Sequence, residues 1–143
     1  MELRQAGLSQ QPFPTHGKPL VVLSYASRVA AIEMLNSTCS HRSGLSLLQG
    51  PTLSGKSTLV RSFVESLPED CSVALINGKG LNTTDLLIAV LRQFGYSPDL
   101  SSASELLALV RVFALQQTAS HKAPLLIIEN AHELNPSALR ALC

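Results

Sequence analysis

The chain is 143 residues long, 45% hydrophobic and 15% charged, with a formal charge of +1 at pH 7. That length and apolar content specify one globular domain with enough hydrophobic side chain for a core, and they exclude wholesale disorder. A balance so close to neutral gives no extended basic surface, so nucleic acid could be met only through a local patch.

Cys39, Cys71 and Cys143 are scattered, without CxxC or Cys/His ligand spacing. A zinc site or disulfide framework is therefore not expected, and thiols in a reducing compartment are. The N-terminus lacks the charged-then-apolar pattern of a signal peptide, and no apolar run approaches membrane-spanning length. A cytoplasmic location is the expectation.

Residues 1–18 hold Pro12, Pro14, Gly7 and Gly17 among several Gln and Ser, and read as an extended or flexible arm. The domain proper is expected over residues 19–143. Residues 19–23 are a short apolar run that fits either a strand or a packed segment. Ser24 then has the chemistry of an N-cap for a helix carrying Val29, Ile32, Met34 and Leu35. A polar stretch over residues 36–41 ends that helix before Gly44.

Residues 45–49, Leu-Ser-Leu-Leu-Gln, read as a short buried strand. They lead into Gly50-Pro51-Thr52-Leu53-Ser54-Gly55-Lys56-Ser57, then Thr58. This matches the P-loop pattern of a glycine, four free positions and Gly-Lys-Ser. Leu59, Val60, Phe63, Val64 and Leu67 follow at helical spacing on one face. A strand that turns into a helix through such a loop aims backbone N–H groups and the positive helix end at one point, which suits a polyphosphate. Gly50 allows the turn, and Gly55 allows close approach to phosphate oxygens. Lys56 would reach the β- and γ-phosphates, Ser57 would join a Mg²⁺ shell, and Thr58 would lie near the α-phosphate.

Pro68-Glu69-Asp70 makes a turn before a second buried strand, residues 73–77, closed by Gly78 and Gly80. Thr83 or Thr84, with Asp85, starts a helix bearing Leu86, Leu87, Val90, Leu91 and Phe94, and Gly95 stands where a C-terminal glycine belongs. Ser102-Ala103-Ser104-Glu105 has capping-box spacing ahead of Leu106, Leu107, Val110, Phe113 and Ala114, which predicts a helix to about Gln117. Residues 125–128 are an uninterrupted apolar strand of the kind buried in a parallel sheet. Asn135 caps a last helix with Pro136 at its first position. This order is that of a P-loop NTPase, α/β in three layers with a parallel sheet, and three strands are expected. Right-handed crossovers place ligands at the carboxyl ends of the strands, where the loop and Glu129 fall.

The third strand ends Ile127-Ile128-Glu129-Asn130-Ala131-His132-Glu133. An acidic residue at such a strand end orders Mg²⁺, and a neighbouring acid polarises the attacking water in hydrolytic P-loop proteins. Glu129 can serve the metal. Asn130 can orient a water but cannot accept its proton as a carboxylate would, so binding with weak or absent turnover is expected. Glu133 is a solvated residue at a helix start or a substitute base, and His132 is a loop residue or a contact to phosphate or a neighbouring subunit.

Taken together, residues 24–35, 47–59, 73–77, the Leu86-to-Phe94 helix with Gly95-Tyr96, and residues 125–133 resemble the AAA-type ATPases of the general-secretion-pathway A (ExeA-like) class. Related helper ATPases serve DNA transposition. The resemblance implies ATP and Mg²⁺ as cofactors, a catalytic set of Lys56, Glu129 and Asn130, and metal contacts from Ser57 and Glu129. It implies a protein partner or self-oligomer assembling a cell-envelope machine, with inner-membrane association through a region outside this chain and DNA as an alternative partner. Three departures stand out: Leu53 where the family loop carries an additional Gly, Glu129-Asn130 for Asp-Glu, and no later strands with sensor and arginine-finger residues. A truncated AAA core is therefore expected. A nucleotide-bound scaffold without turnover is the competing function. A small-molecule kinase finds little support, since Arg92 and Arg111 sit on helices without a lid pattern.

Overall fold

Two parallel five-residue strands, β1 (Val73–Asn77) and β2 (Leu125–Glu129), form the sheet of this computed structural model. The structure describes residues 25–40, 44–99, 102–120, 122 and 124–142. The predicted N-terminal arm, the apolar run at 19–23 and the Ser24 cap lie outside them. Val73 pairs with Leu125 and Asn77 with Glu129, so both strands end at the same level. The helices are α1 (Ala26–Ser40), α2 (Lys56–Ser66), α3 (Thr83–Gln93), α4 (Ala103–Ala119) and α5 (Pro136–Leu142). A parallel sheet whose strands are joined through helices is the expected α/β architecture.

The first expected strand does not form. Residues 45–49 form no strand, and Leu45 and Leu47 are 92% and 74% exposed. An apolar run becomes a strand only where a neighbour completes its hydrogen-bond ladder. Among the described residues β1 and β2 pair only with each other and residues 45–49 join neither, so two strands form where three were expected.

The core lies on one face of the sheet. Ile76 meets Leu86 and Val90 of α3, Leu134, and Ala138 of α5, with Leu126 and Ile128 of β2 packed alongside. Alternation along β1 puts Ala74 and Ile76 inward and leaves Leu75 and Asn77 exposed. A second layer follows, in which Leu87 and Leu91 of α3 meet Leu106 of α4. Each fully buried leucine contributes roughly 1.5–3 kcal/mol. Phe113 of α4 stacks on Phe94 at 4.4 Å and takes Tyr96 edge-on at 5.6 Å, closing the end of that layer.

Helix ends show the local chemistry that sets them. Asn82, one residue before the expected start, caps α3 by accepting from the Asp85 N–H at 2.9 Å, while its Nδ2 donates to Asp85 Oδ2 at 2.6 Å. At the other end Gly95 takes φ 85°, and the Tyr96 N–H donates to the Leu91 carbonyl, a glycine-terminated Schellman turn. α4 begins after Ser102 as expected, but its cap is not a capping box: the Ser102 hydroxyl pairs with the Ser104 hydroxyl at 2.6 Å. α4 also runs to Ala119, two residues past Gln117. Asn135 does cap α5, accepting from the Ser137 N–H at 3.0 Å.

Candidate functional site

The glycine-rich loop is shaped by its own atoms. The Ser54 N–H donates to the Pro51 carbonyl, Gly55 turns through φ 83°, and α2 starts at Lys56 with Leu59 N–H donating to the Gly55 carbonyl. No side chain caps this helix, so the N–H groups of its first turn are left for a ligand. A Cβ on Gly50 would meet Ser54 Oγ at 3.1 Å, which explains the glycine there as a close approach within the loop. Lys56 Nζ donates to the carbonyls of Gly50 at 2.9 Å and Pro51 at 2.6 Å, with Ser54 Oγ at 3.4 Å. The ammonium thus sits inside the loop's curve, held by neutral oxygens.

Leu53 is the loop's anomaly. Its side chain is 99% exposed and its backbone stands at φ 62°, a left-handed conformation that costs a non-glycine residue about 1–2 kcal/mol. The conformation is the one an additional glycine would adopt freely. Behind the loop, α2 buries Leu59 and Phe63 and packs chiefly on α1, where Arg28 Nη2 donates to Ser62 Oγ at 3.0 Å.

A second cluster forms where the strands end. Asn130, immediately after β2, also stands in the left-handed region, at φ 54° and ψ 37°. Asparagine tolerates this better than most residues. Its Nδ2 donates to Asn77 Oδ1 at 3.0 Å, and the same oxygen accepts from the Lys79 N–H at 3.2 Å. Between them, the Gly78 N–H donates to the Glu129 carbonyl at 2.8 Å. A Cβ on Gly78 would come within 3.0 Å of both Ile128 and Leu134, so the two strand ends approach this closely only with glycine. Sequence reasoning passed over Asn77, yet a polar residue ending a buried strand in register with Glu129 carries the information. Glu133 closes a 3₁₀ turn (Ala131–Glu133), and His132 Nε2 lies 3.8 Å from its carboxylate on the exposed side.

Gly50, Pro51, Thr52, Leu53, Ser54, Gly55, Lys56, Ser57 and Thr58 therefore form one group, and Glu129 and Asn130 with Asn77 form another. Among the described residues no hydrogen bond or ion pair joins Lys56 or Ser57 to Glu129. No cluster of three or more His, Cys, Asp or Glu is found among them either. A Mg²⁺ ion held by one or two protein oxygens and by phosphates has no need of such a cluster. The loop itself fits a polyphosphate: a cation, an uncapped helix start and a glycine cradle converge. A cleft of about 650 Å³ runs along β1 and α3 past Asn77, Asp85 and Arg92, away from the loop.

Comparison with known proteins matches residues 39–143 to the AAA domain family, described as an AAA domain. General secretion pathway protein A of Aeromonas hydrophila is 29% identical over 137 residues, covering 95% of this chain. The chain spans about a quarter of that relative's length, 25%. No solved structure matches.

Proposed function

The chain belongs to the AAA domain family, and on that footing we propose that it is an ATP-binding module whose nucleotide state drives assembly or remodelling of a partner complex. The observation that carries this reading is the placement of the Lys56 ammonium at the start of an uncapped helix, inside the curve of Gly50 to Gly55. Lys56 exchanges the Gly50 and Pro51 carbonyls for phosphate oxygens, and the N–H groups of the first turn orient the chain of phosphates. Ser57 and Glu129 are the residues that would hold Mg²⁺, which neutralises phosphate charge when bound. We assign residues 19–143 to this domain and residues 1–18 to an arm preceding it. The name of the Aeromonas relative supports a secretion machine as the partner complex. No helix among the described residues is long and apolar enough to cross a membrane.

A second reading is favoured by Asn130. Its amide is spent on Asn77, and it offers no base to a water, so the module acts as a nucleotide-bound scaffold with little or no turnover. Binding of fluorescent ATP and GTP analogues with Mg²⁺ tests the first part. The wild-type chain is expected to prefer ATP, and Lys56→Ala to weaken binding at least tenfold, about 1.4 kcal/mol, with the fold retained. Equal binding by the variant would remove the loop from the function. Turnover tests the second, with Asn130→Asp beside Asn130→Glu because aspartate also tolerates the left-handed backbone. Failure of both to raise the rate would show that Asn130 is not what limits hydrolysis.

A further inference from the structure

We propose that the free edge of β1 takes an extended peptide segment of a partner protein as an added antiparallel strand. The hydrogen bonds at the two ends of the sheet fix which backbone groups are already spent. The Leu125 N–H donates to the Ser72 carbonyl, and the Gly78 N–H to the Glu129 carbonyl. With the parallel register between them, Ser72, Ala74, Ile76 and Gly78 turn their donors and acceptors toward β2. Val73, Leu75 and Asn77 turn theirs the other way. Among the described residues nothing bonds to those outward groups. Such an edge is ordinarily blunted by Lys, Pro or a bulge, and Val73–Asn77 carries none of them. What satisfies a row of backbone donors and acceptors is another extended backbone.

The same edge borders the cleft of about 650 Å³ between β1 and α3, and the cleft says which side chains the segment carries. Ile76 faces α3, so residues of an added strand opposite Ala74, Ile76 and Gly78 face it too. From α3 the cleft receives Asp85, Ile88, Ala89 and Arg92, one stripe of the helix. Asp85 and Arg92 are exposed, opposite in charge and about 10 Å apart along the axis, with Ile88 and Ala89 half-buried between them. The Asp85 carboxylate spends Oδ2 on the Asn82 amide, which is neutral, so its charge is left for the segment. Because α3 begins just after β1 ends, Asp85 lies toward the carboxyl end of the strand and Arg92 toward its amino end. An antiparallel segment, the direction of the stronger ladder, therefore reads basic, any, apolar, any, acidic from its amino end. Five extended residues span roughly 13 Å, and long charged side chains take up the difference. The exposed charge pairs set sequence and direction, while the ladder supplies the hold. No residue of the nucleotide loop takes part.

Fluorescence anisotropy of a labelled, end-capped peptide with the core Lys-Thr-Leu-Thr-Glu, titrated with the whole chain without nucleotide, tests this separately from ATP binding. Saturable binding is expected. N-methylation of the second threonine, opposite Leu75, removes the donor to the Leu75 carbonyl and should weaken binding roughly tenfold. Arg92→Glu should weaken it about threefold with the circular dichroism spectrum unchanged, and a peptide ending in Lys in place of Glu should restore it. The reversed core, Glu-Thr-Leu-Thr-Lys, should bind more weakly at the same composition. No saturable binding by the folded chain, or indifference to N-methylation, would overturn the proposal. So would slow amide exchange at Leu75 and Asn77 in the peptide-free chain, since residues 19–23 or a second copy would then already hold the edge. A charge swap that fails to restore binding would overturn the assignment of the acidic residue to Arg92.

Discussion

The two halves of the molecule are held together differently. Up to Ser66, α1 buries no residue and α2 buries only Leu59 and Phe63. From β1 onward, Ile76, Leu86, Val90, Leu134 and Ala138 form one buried cluster and Leu87, Leu91 and Leu106 a second, with Phe113 buried against Phe94 and Tyr96. The loop that identifies the chain sits in the loosely packed half. Its shape comes from glycine conformations and from a lysine bonded to nearby carbonyls, all within seven residues of sequence. The strand-end cluster, by contrast, depends on Asn77 and Asn130 being brought together across 53 positions. A glycine-rich loop can be written locally; the neighbourhood of a strand-end carboxylate cannot.

The sharpest way to break this contrast is to cut equally into both halves. Leu86→Ala, at a fully buried position, should cost about 2–5 kcal/mol in denaturant unfolding. Val29→Ala on α1, at 46% exposure, should stay within about 0.5 kcal/mol. Comparable losses would mean that α1 is packed as tightly as α3.

Gly78→Ala probes the seam between the strand ends and should cost about 1–3 kcal/mol, because Ile128 and Leu134 already stand at the limit of contact. A neutral result in the same unfolding assay would mean that the strand ends separate readily.

In the loop the expected sign reverses. Leu53→Gly relieves a left-handed strain of about 1–2 kcal/mol, offset in part by the freedom glycine adds to the unfolded chain, for a net gain of up to about 1 kcal/mol. Leu53→Val, β-branched at the same φ, should lose stability, and thermal melts of the pair read the difference. Two variants moving together would show that φ at 53 does not govern the loop.

The smallest effect concerns pH. Burial pushes the thiols of Cys39 and Cys71 above their ordinary 9.0, and at Cys71 the nearby Cys39 and Asp70 push the same way. A raised pKa means the folded state favours the neutral thiol. That contribution is intact below about pH 9 and is lost as pH rises through the folded values. Unfolding midpoints should therefore fall modestly above pH 9, and less steeply in Cys71→Ala.

Much of the fold was legible, and for identifiable reasons. β1, β2, α3 and α5 announce themselves through apolar runs, Gly95 and the Asn135-Pro136 cap, each a short-range cue. Residues 45–49 carry the same apolar cue and yet form no strand, because a strand is defined by a partner that the run itself does not encode. At α4 the capping-box spacing located the start while the Ser102 hydroxyl chose Ser104, since serines two apart compete with the backbone for the same bond. In the site, the loop residues were named from the motif. The cost at Leu53 and the partner of Asn130 emerged only from backbone angles and from a contact between distant strands.

Asn77 is followed by glycine, the dipeptide most prone to lose ammonia when the next backbone nitrogen attacks the side-chain carbonyl. In the folded chain that nitrogen is committed to the Glu129 carbonyl, and the side-chain oxygen to Asn130 and Lys79. Ring closure therefore waits for the strand ends to part. Each opening event carries a small chance of leaving a permanent carboxylate beside Glu129, where the folded site has only amides. The deamidated fraction of an ageing sample thus records the accumulated time its strand ends have spent apart.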